Sequence, residues 1–140
     1  KGRLLLPSSF KEQLGDALEE GFVLRPSLYD KCLELFGMSD WRAMQNKLGK
    51  LNPFKQENVM LIRRFNAGAR MVKVDASGRL QIPKDLMEKG GLVKEVVMTA
   101  LTDRMQIWDK TLSEQENERF SEADLARALS EKLGANDFID

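Results

Sequence analysis

The stretch VDASGRLQIPKDL, Val74–Leu86, has a near copy in KGRLLLPSSF, Lys1–Phe10. Gly2, Arg3, Leu4 and Pro7 stand 76 positions before Gly78, Arg79, Leu80 and Pro83, while Leu6 answers Ile82 and Phe10 answers Leu86. The physical content of the motif is a turn that aims an arginine. An aspartate such as Asp75 bonds backbone amides two residues on and starts the turn. Gly78 accepts the positive φ that closes it. Arg79 then leaves as the first residue of a strand, where the pleat fixes the direction of its side chain. In the first copy the acid matching Asp75 is expected just ahead of Lys1. Two roles are open to Arg79 on these grounds: a cation presented to an anionic ligand, or half of an Arg79–Asp75 ion pair that locks the turn.

Outward from the motif the two copies stay parallel. Each arginine opens a short strand that ends at a proline, and a short helix is expected next. Ser8 or Ser9 caps the first helix and Gly15 stops it; Pro83 opens the second and Gly90-Gly91 stops it. Strands follow at GFVL and EVVM, turns at RPSLYDK and TALTD, and further strands at CLELF and RMQIW. In these last strands Leu33 and Leu35, like Met105 and Ile107, alternate to one side. Each copy therefore reads β-α-β-β, and two copies make a duplicated domain rather than a solenoid.

The expected layout is residues 1–40 for the first copy, with its leading strand ahead of Lys1, then 41–68 for a helical connector. Residues 69–112 form the second copy and 113–140 an acidic helical tail. In the connector Ser39 is expected to cap a helix with Trp41, Met44, Leu48 and Leu51 on one stripe, and Asn52-Pro53 to break it. A second helix, about Phe54 to Phe65, presents Val59, Ile62 and Phe65. The Trp and Met stripe of the first helix reads as core packing. GARMVKVD leads into the second copy as an alternating strand, with Met71 facing away from Val72 and Val74. Trp108 is expected at a sheet edge against the connector, and Cys32 as a small core residue. In the tail, Ser121 and Asp124 form a capping box ahead of a Leu125, Leu129, Leu133 stripe that stops at Gly134.

Composition bounds the function classes. With 140 residues, 31% charged and 42% hydrophobic, the chain has the makings of one ordinary core. No apolar run approaches the ~18 residues of a membrane span, and the cytoplasm is the expected compartment. Cys32 is the only cysteine and histidine is absent, so one chain builds neither a disulfide framework nor a common zinc site. Nothing has nucleophile–base spacing, and ASGRL lacks the Lys-Ser/Thr of a phosphate loop. No enzyme, cofactor, metal or small-molecule substrate is expected. The formal net charge is zero, but it is unevenly spread. Residues 1–74 hold 13 Lys+Arg against 8 Asp+Glu, residues 75–109 hold 5 against 6, and residues 110–140 hold 4 against 8. The front of the chain is the end able to face an anion. Arg63, Arg64 and Arg70 have two readings, a basic rim beside the anion-facing turns or exposed ion pairs with the acidic tail, and the second is preferred.

A single β-α-β-β unit leaves open sheet edges and too little apolar surface for a core. Interleaving two copies solves both problems and brings the arginine turns to one side. KGRLLLP, DASGRLQIP, the link LNPFKQENVMLIRRFNAGA and the late RMQIWDK resemble the bacterial MraZ proteins, over residues 1 to about 110. The resemblance implies an α+β fold of two tandem SpoVT-AbrB-type repeats, intertwined as a swapped-hairpin, pseudo-twofold β unit. It implies a nucleoid-associated, DNA-binding regulator of the division and cell wall gene cluster, usually a repressor. Such proteins form closed homo-oligomeric rings on promoter direct repeats of double-stranded DNA. DNA contact then transfers onto Lys1, Arg3 and Arg79, with Asp75 as the supporting acid and Gly2 and Gly78 as turn supports.

Two or three cationic contacts on a neutral protomer bind duplex weakly, since each phosphate neutralised contributes a log–log salt slope of only about −0.9. Assembly multiplies that grip by roughly 10² to 10⁴ without any new contact. The alternative from another class is an antitoxin-like interaction module whose amphipathic tail wraps a protein partner. Covalent duplication favours the regulator, because antitoxins of this fold usually carry one repeat and dimerise.

Overall fold

A computed structural model of the chain describes residues 2–7 and 20–134. The first-copy helix expected between Ser8 and Gly15 lies outside them, as does Lys1. Seven strands and five helices follow in order through the described residues. They are β1 (Arg3–Leu5), β2 (Phe22–Pro26), β3 (Leu33–Gly37), α1 (Met38–Gly49), α2 (Gln56–Asn66), β4 (Arg70–Val72) and β5 (Arg79–Gln81). Then come α3 (Lys84–Gly90), β6 (Val96–Ala100), β7 (Met105–Asp109), α4 (Lys110–Glu118) and α5 (Glu122–Leu133). The fold is α+β, and every strand pairing is antiparallel. Residues to Asp109 form one compact unit and those from Lys110 a second.

Strands from the two copies pair with each other. β1 and β5 form a two-stranded ribbon, and a five-stranded sheet runs β4-β2-β3-β7-β6. In the ribbon Arg3 faces Gln81, Leu4 faces Leu80 and Leu5 faces Arg79. Since Arg3 matches Arg79 and Leu5 matches Gln81 along the repeat, this register maps onto itself about the Leu4–Leu80 pair. The β3–β7 pairing does the same about Glu34–Gln106, with Leu33 opposite Ile107 and Leu35 opposite Met105. Two reciprocal backbone bonds complete the pattern: Leu6 N–H donates to the Gly78 carbonyl at 3.0 Å, and Ile82 N–H to that of Gly2 at 2.6 Å.

Alternation along the strands sorts the core into two clusters, one on each sheet face. Phe22, Leu24, Leu33, Leu35, Met105 and Ile107 join Leu80 and Ile82 from the ribbon and Leu86 from α3. Leu80 and Leu86 are fully buried, a burial that contributes about 1.5–3 kcal/mol per side chain. Val23 and Phe36 point the other way, onto Leu48 of α1 and Phe65 of α2. Trp41 closes this second cluster by edge-on contacts with Phe36 and Phe65, at centroid distances of 5.3 and 5.6 Å. The connector stripe is core packing. Cys32 is fully buried, and that burial pushes its thiol up to about 12.

Three local expectations are corrected. Gly37, not Ser39, sits at the N-cap of α1, because β3 runs straight into the helix. The second connector helix starts at Gln56, since the Asn52 side chain accepts the Phe54 amide at 2.9 Å and holds a turn there. β7 lies between β3 and β6, so Trp108 stands on an interior strand rather than an edge. In the second unit the Ser121–Asp124 capping box forms as expected, and Gly134 ends α5. Leu125 and Leu133 of its stripe are exposed.

Candidate nucleic-acid interface

The ribbon is short, and each face has a single character. Leu4 and Leu80 point inward; Arg3, Leu5, Arg79 and Gln81 all point outward and are exposed. Both arginines therefore stand on one exposed face, placed diagonally by the register. The turn that delivers Arg79 is held from beneath by Asp75. Its Oδ1 accepts the Ser77 amide at 2.8 Å and the Arg79 amide at 3.0 Å. Backbone bonds from Gly78 N–H to the Asp75 carbonyl and from Asp75 N–H to the Arg79 carbonyl, both 2.9 Å, close the loop. Gly78 adopts φ +79° and Gly2 φ +78°, values that a side chain resists. A Cβ at Gly2 would also meet the Ile82 carbonyl oxygen at 3.0 Å.

The carboxylate of Asp75 thus serves the backbone of the turn. Its hydrogen bond from the Arg79 amide, then that from Ser77, then the nearby Arg79 and Arg3 charges, hold the Asp75 carboxyl below the usual aspartate range. Among the described residues no carboxylate forms an ion pair with Arg3 or Arg79. Arg3 instead donates its Nε–H to Gln81 Oε1 at 3.3 Å. Gln81 and Leu5 flank the two arginines and were not singled out in the sequence, although within the ribbon strands they are the matched pair that differs. Arg3 and Lys94 line one cleft of about 550 Å³ beside β6, which brings a further cation near the ribbon. Lys1 lies outside the described residues.

A second polar assembly escapes motif reading altogether. Arg25, 1% exposed, donates Nε–H to the Phe65 carbonyl at 2.7 Å and its terminal nitrogen to Glu34 at 3.0 Å. Arg104 meets the same Glu34 oxygen at 3.2 Å and binds Asp103. Burial pulls Arg25 below its ordinary value against the attraction of Glu34, whereas the Asp103 hydrogen bond holds Arg104 above its own. The buried atoms of this network all have partners, and it ties the connector to the sheet at the wall of a cleft of about 240 Å³ lined by Arg25, Glu34 and Arg104. Arg70 pairs with Asp85. Among the described residues no cluster of His, Cys, Asp or Glu could hold a metal ion, and no helix is long and apolar enough to cross a membrane.

The fold and the face together define an α+β protein built on an internal duplication, with an arginine-bearing ribbon exposed at its centre of symmetry. Residues 65–136 match the family described as "MraZ protein, putative antitoxin-like". The chain is 42% identical over 138 residues to the Transcriptional regulator MraZ of Christiangramia forsetii, covering 99% of this chain and 88% of that protein. It is 46% identical over 115 residues to the protein of that name from Flavobacterium psychrophilum, covering 82% and 73%. It is also 38% identical to that of Caldicellulosiruptor bescii, covering 94% and 90%. The chain belongs to the MraZ family.

Proposed function

We propose that this chain is a DNA-binding transcription regulator that lays the β1–β5 ribbon into the major groove. The observation that carries the reading is the shared exposed face of Arg3 and Arg79. A major groove about 12 Å wide admits a two-stranded ribbon, and outward guanidiniums are suited to guanine edges and phosphates. The names of its relatives, all transcriptional regulators, point the same way. Asp75, Gly2 and Gly78 hold the turns, and Lys1 is a further DNA contact.

The family resemblance extends the reading further. Residues 1–40 and 69–112 act as SpoVT-AbrB-type repeats in a swapped-hairpin unit, joined by the 41–68 connector and followed by the 113–140 tail. Copies close into a ring on promoter direct repeats of the division and cell wall gene cluster and repress it from the nucleoid. A neutral protomer needs that avidity. The test is a band-shift titration on a repeat-bearing promoter, with light scattering to fix the oligomer. Arg79→Ala is expected to lose about 1–3 kcal/mol of binding. Wild-type affinity for Arg79→Ala and Arg3→Ala, or a forced monomer binding as tightly as the assembly, would overturn the proposal. Capture of one stoichiometric protein partner with no DNA retention would favour the antitoxin-like alternative.

A further inference from the structure

The cleft between the ribbon and β6 combines apolar walls with two cations and has no acidic residue in its lining. Leu4, Ile82, Met87 and Leu92 supply apolar surface, and Arg3 and Lys94 are its charged members. Its volume of about 550 Å³ falls within the roughly 300–1,000 Å³ of small-molecule pockets. Both cations rise from fixed backbone. Beneath Arg3, Ile82 N–H donates to the Gly2 carbonyl at 2.6 Å, while Arg3 gives only its Nε–H to Gln81, leaving its terminal nitrogens unbonded among the described residues. On the other wall Gly91 takes φ +69° and Leu92 N–H donates to the Met87 carbonyl at 2.9 Å. Val93 N–H then donates to Asp109 Oδ1 at 3.2 Å, so the segment that carries Lys94 is tied to both α3 and the end of β7. Lys94 is exposed, and among the described residues no ion pair engages it.

We propose that this cleft binds a small amphipathic anion, a single aliphatic chain ending in a carboxylate or phosphate. The chain lies along Leu4, Ile82 and Met87, where burial of methylenes supplies affinity and the unbranched methionine adapts to it. The head reaches Arg3 and Lys94, whose charge-assisted bonds select an anion over a neutral group. A sugar or other wholly polar ligand would leave its hydroxyls unpaired against these walls. Arg3 also stands on the outward face of the ribbon, so an occupied cleft withdraws one cation from DNA. The site itself goes beyond the DNA-binding reading and stands without it; only this competition rests on that reading.

The experiment is methyl NMR titration of the full chain with decanoate, decyl phosphate and the uncharged decanol, each kept below its micelle concentration. The Leu4, Ile82 and Met87 methyls are expected to shift with both anions, and the tighter of the two identifies the head group. Octanoate should bind more weakly than decanoate, by up to about fourfold per methylene removed. Lys94→Gln, at an exposed position and checked for folding by thermal unfolding, should weaken the anions about tenfold and leave decanol unchanged. Absence of shifts at these methyls overturns the site, as does equal affinity for decanol and decanoate. Three further outcomes overturn it by naming another occupant. Cross-relaxation from the methyls to Phe10 or Leu14 would put the chain's own residues in the cleft, shifts on dilution a second copy, and retention on anionic vesicles without response to the monomers a lipid surface. For the competition, decanoate should weaken binding of a repeat-bearing duplex in a band shift. Unchanged duplex binding with the cleft filled overturns the competition. If Arg3→Ala and Arg79→Ala bind duplex as wild type does, the DNA-binding reading fails, and the methyl shifts alone still decide the site.

Discussion

On the sheet face that meets the ribbon, Leu33 and Leu35 of one copy pack beside Met105 and Ile107 of the other. On the opposite face, Arg25 and Glu34 of the first copy occupy the ladder positions that Thr99 and Gln106 hold in the second. The first face follows the internal twofold, and the second departs from it wherever the connector intervenes. One connector cannot cover two equivalent half-faces, so the charge network centres on Glu34 of the first copy, joined by Arg104 of the second, with Arg25 reaching the last turn of α2 at the Phe65 carbonyl. Duplication explains the symmetric side, which presents the ribbon. The single-copy insertion explains the asymmetric side, where polar bonds position a helix pair that hydrophobic contact alone would hold less specifically.

The sharpest way to break this comparison is to remove the acid at one position and its neutral counterpart at the other. Glu34→Ala leaves the buried Arg25 guanidinium without its carboxylate, and loss of one member of such a pair costs about 3–5 kcal/mol. Gln106→Ala removes an acceptor of the Trp108 indole N–H and should cost about 1 kcal/mol. Urea unfolding of the two variants decides it. Equal losses would mean that the network contributes nothing special to the connector half.

On the symmetric face the test is close approach rather than charge. Gly90 of α3 lies against Leu33, and a Cβ there would come within 2.6 Å of the buried Leu33 Cγ. Gly90→Ala should therefore cost about 1–3 kcal/mol through overpacking, read as a lower unfolding midpoint with an unchanged slope. A neutral effect would show that α3 shifts freely on the sheet, and with it one support of the ribbon.

The repeat made the symmetric side legible. Gly-Arg-Leu followed by proline, with alternating strands after it, marks the order of the described strands and the interleaving of the two copies, but not which strand each arginine strand pairs with. The connector side was legible only as apolar stripes. Arg25 opens RPSLYDK, which reads as a turn although the residue lies in β2, and nothing local says that Arg25 and Arg104, far apart along the chain, will converge on one Glu34 oxygen. Caps also depend on context: Ser39 loses its place because β3 continues directly into α1 at Gly37. In the ribbon, the arginines announced themselves by repetition. Leu5 and Gln81 were hidden because they differ between copies, and the significance of a difference appears only when the register sets it on an exposed face.

The two glycine turns offer a comparison within the symmetric half. Gly78→Ala forces a Cβ into φ +79° and should cost about 1–2 kcal/mol. Gly2→Ala should cost at least as much, because its Cβ also meets the Ile82 carbonyl oxygen at 3.0 Å. Thermal unfolding of both variants checks the pairing. A large loss at one turn with none at the other would deny that the turns support the ribbon equally.

The smallest expected effect concerns Asp75, which is fully exposed and yet held in its charged form by the turn. A depressed folded-state value means that its stabilisation is complete above the ordinary aspartate value of about 3.9 and disappears as pH falls through the lower folded value. Asp75→Asn keeps an acceptor oxygen but loses the charge, so it should be less stable than wild type near neutrality and converge with it in acid. Unfolding midpoints across that range give the sign; a gap that does not change with pH would remove the charge from the account. Carboxyl titration by NMR then separates the causes. Arg79→Ala retains the Arg79 amide that contributes most, so the Asp75 value should rise only part of the way, and Arg3→Ala should raise it less. Because Arg3 belongs to the other copy, any rise on its removal reports that one carboxylate senses both arginines, as a shared face requires.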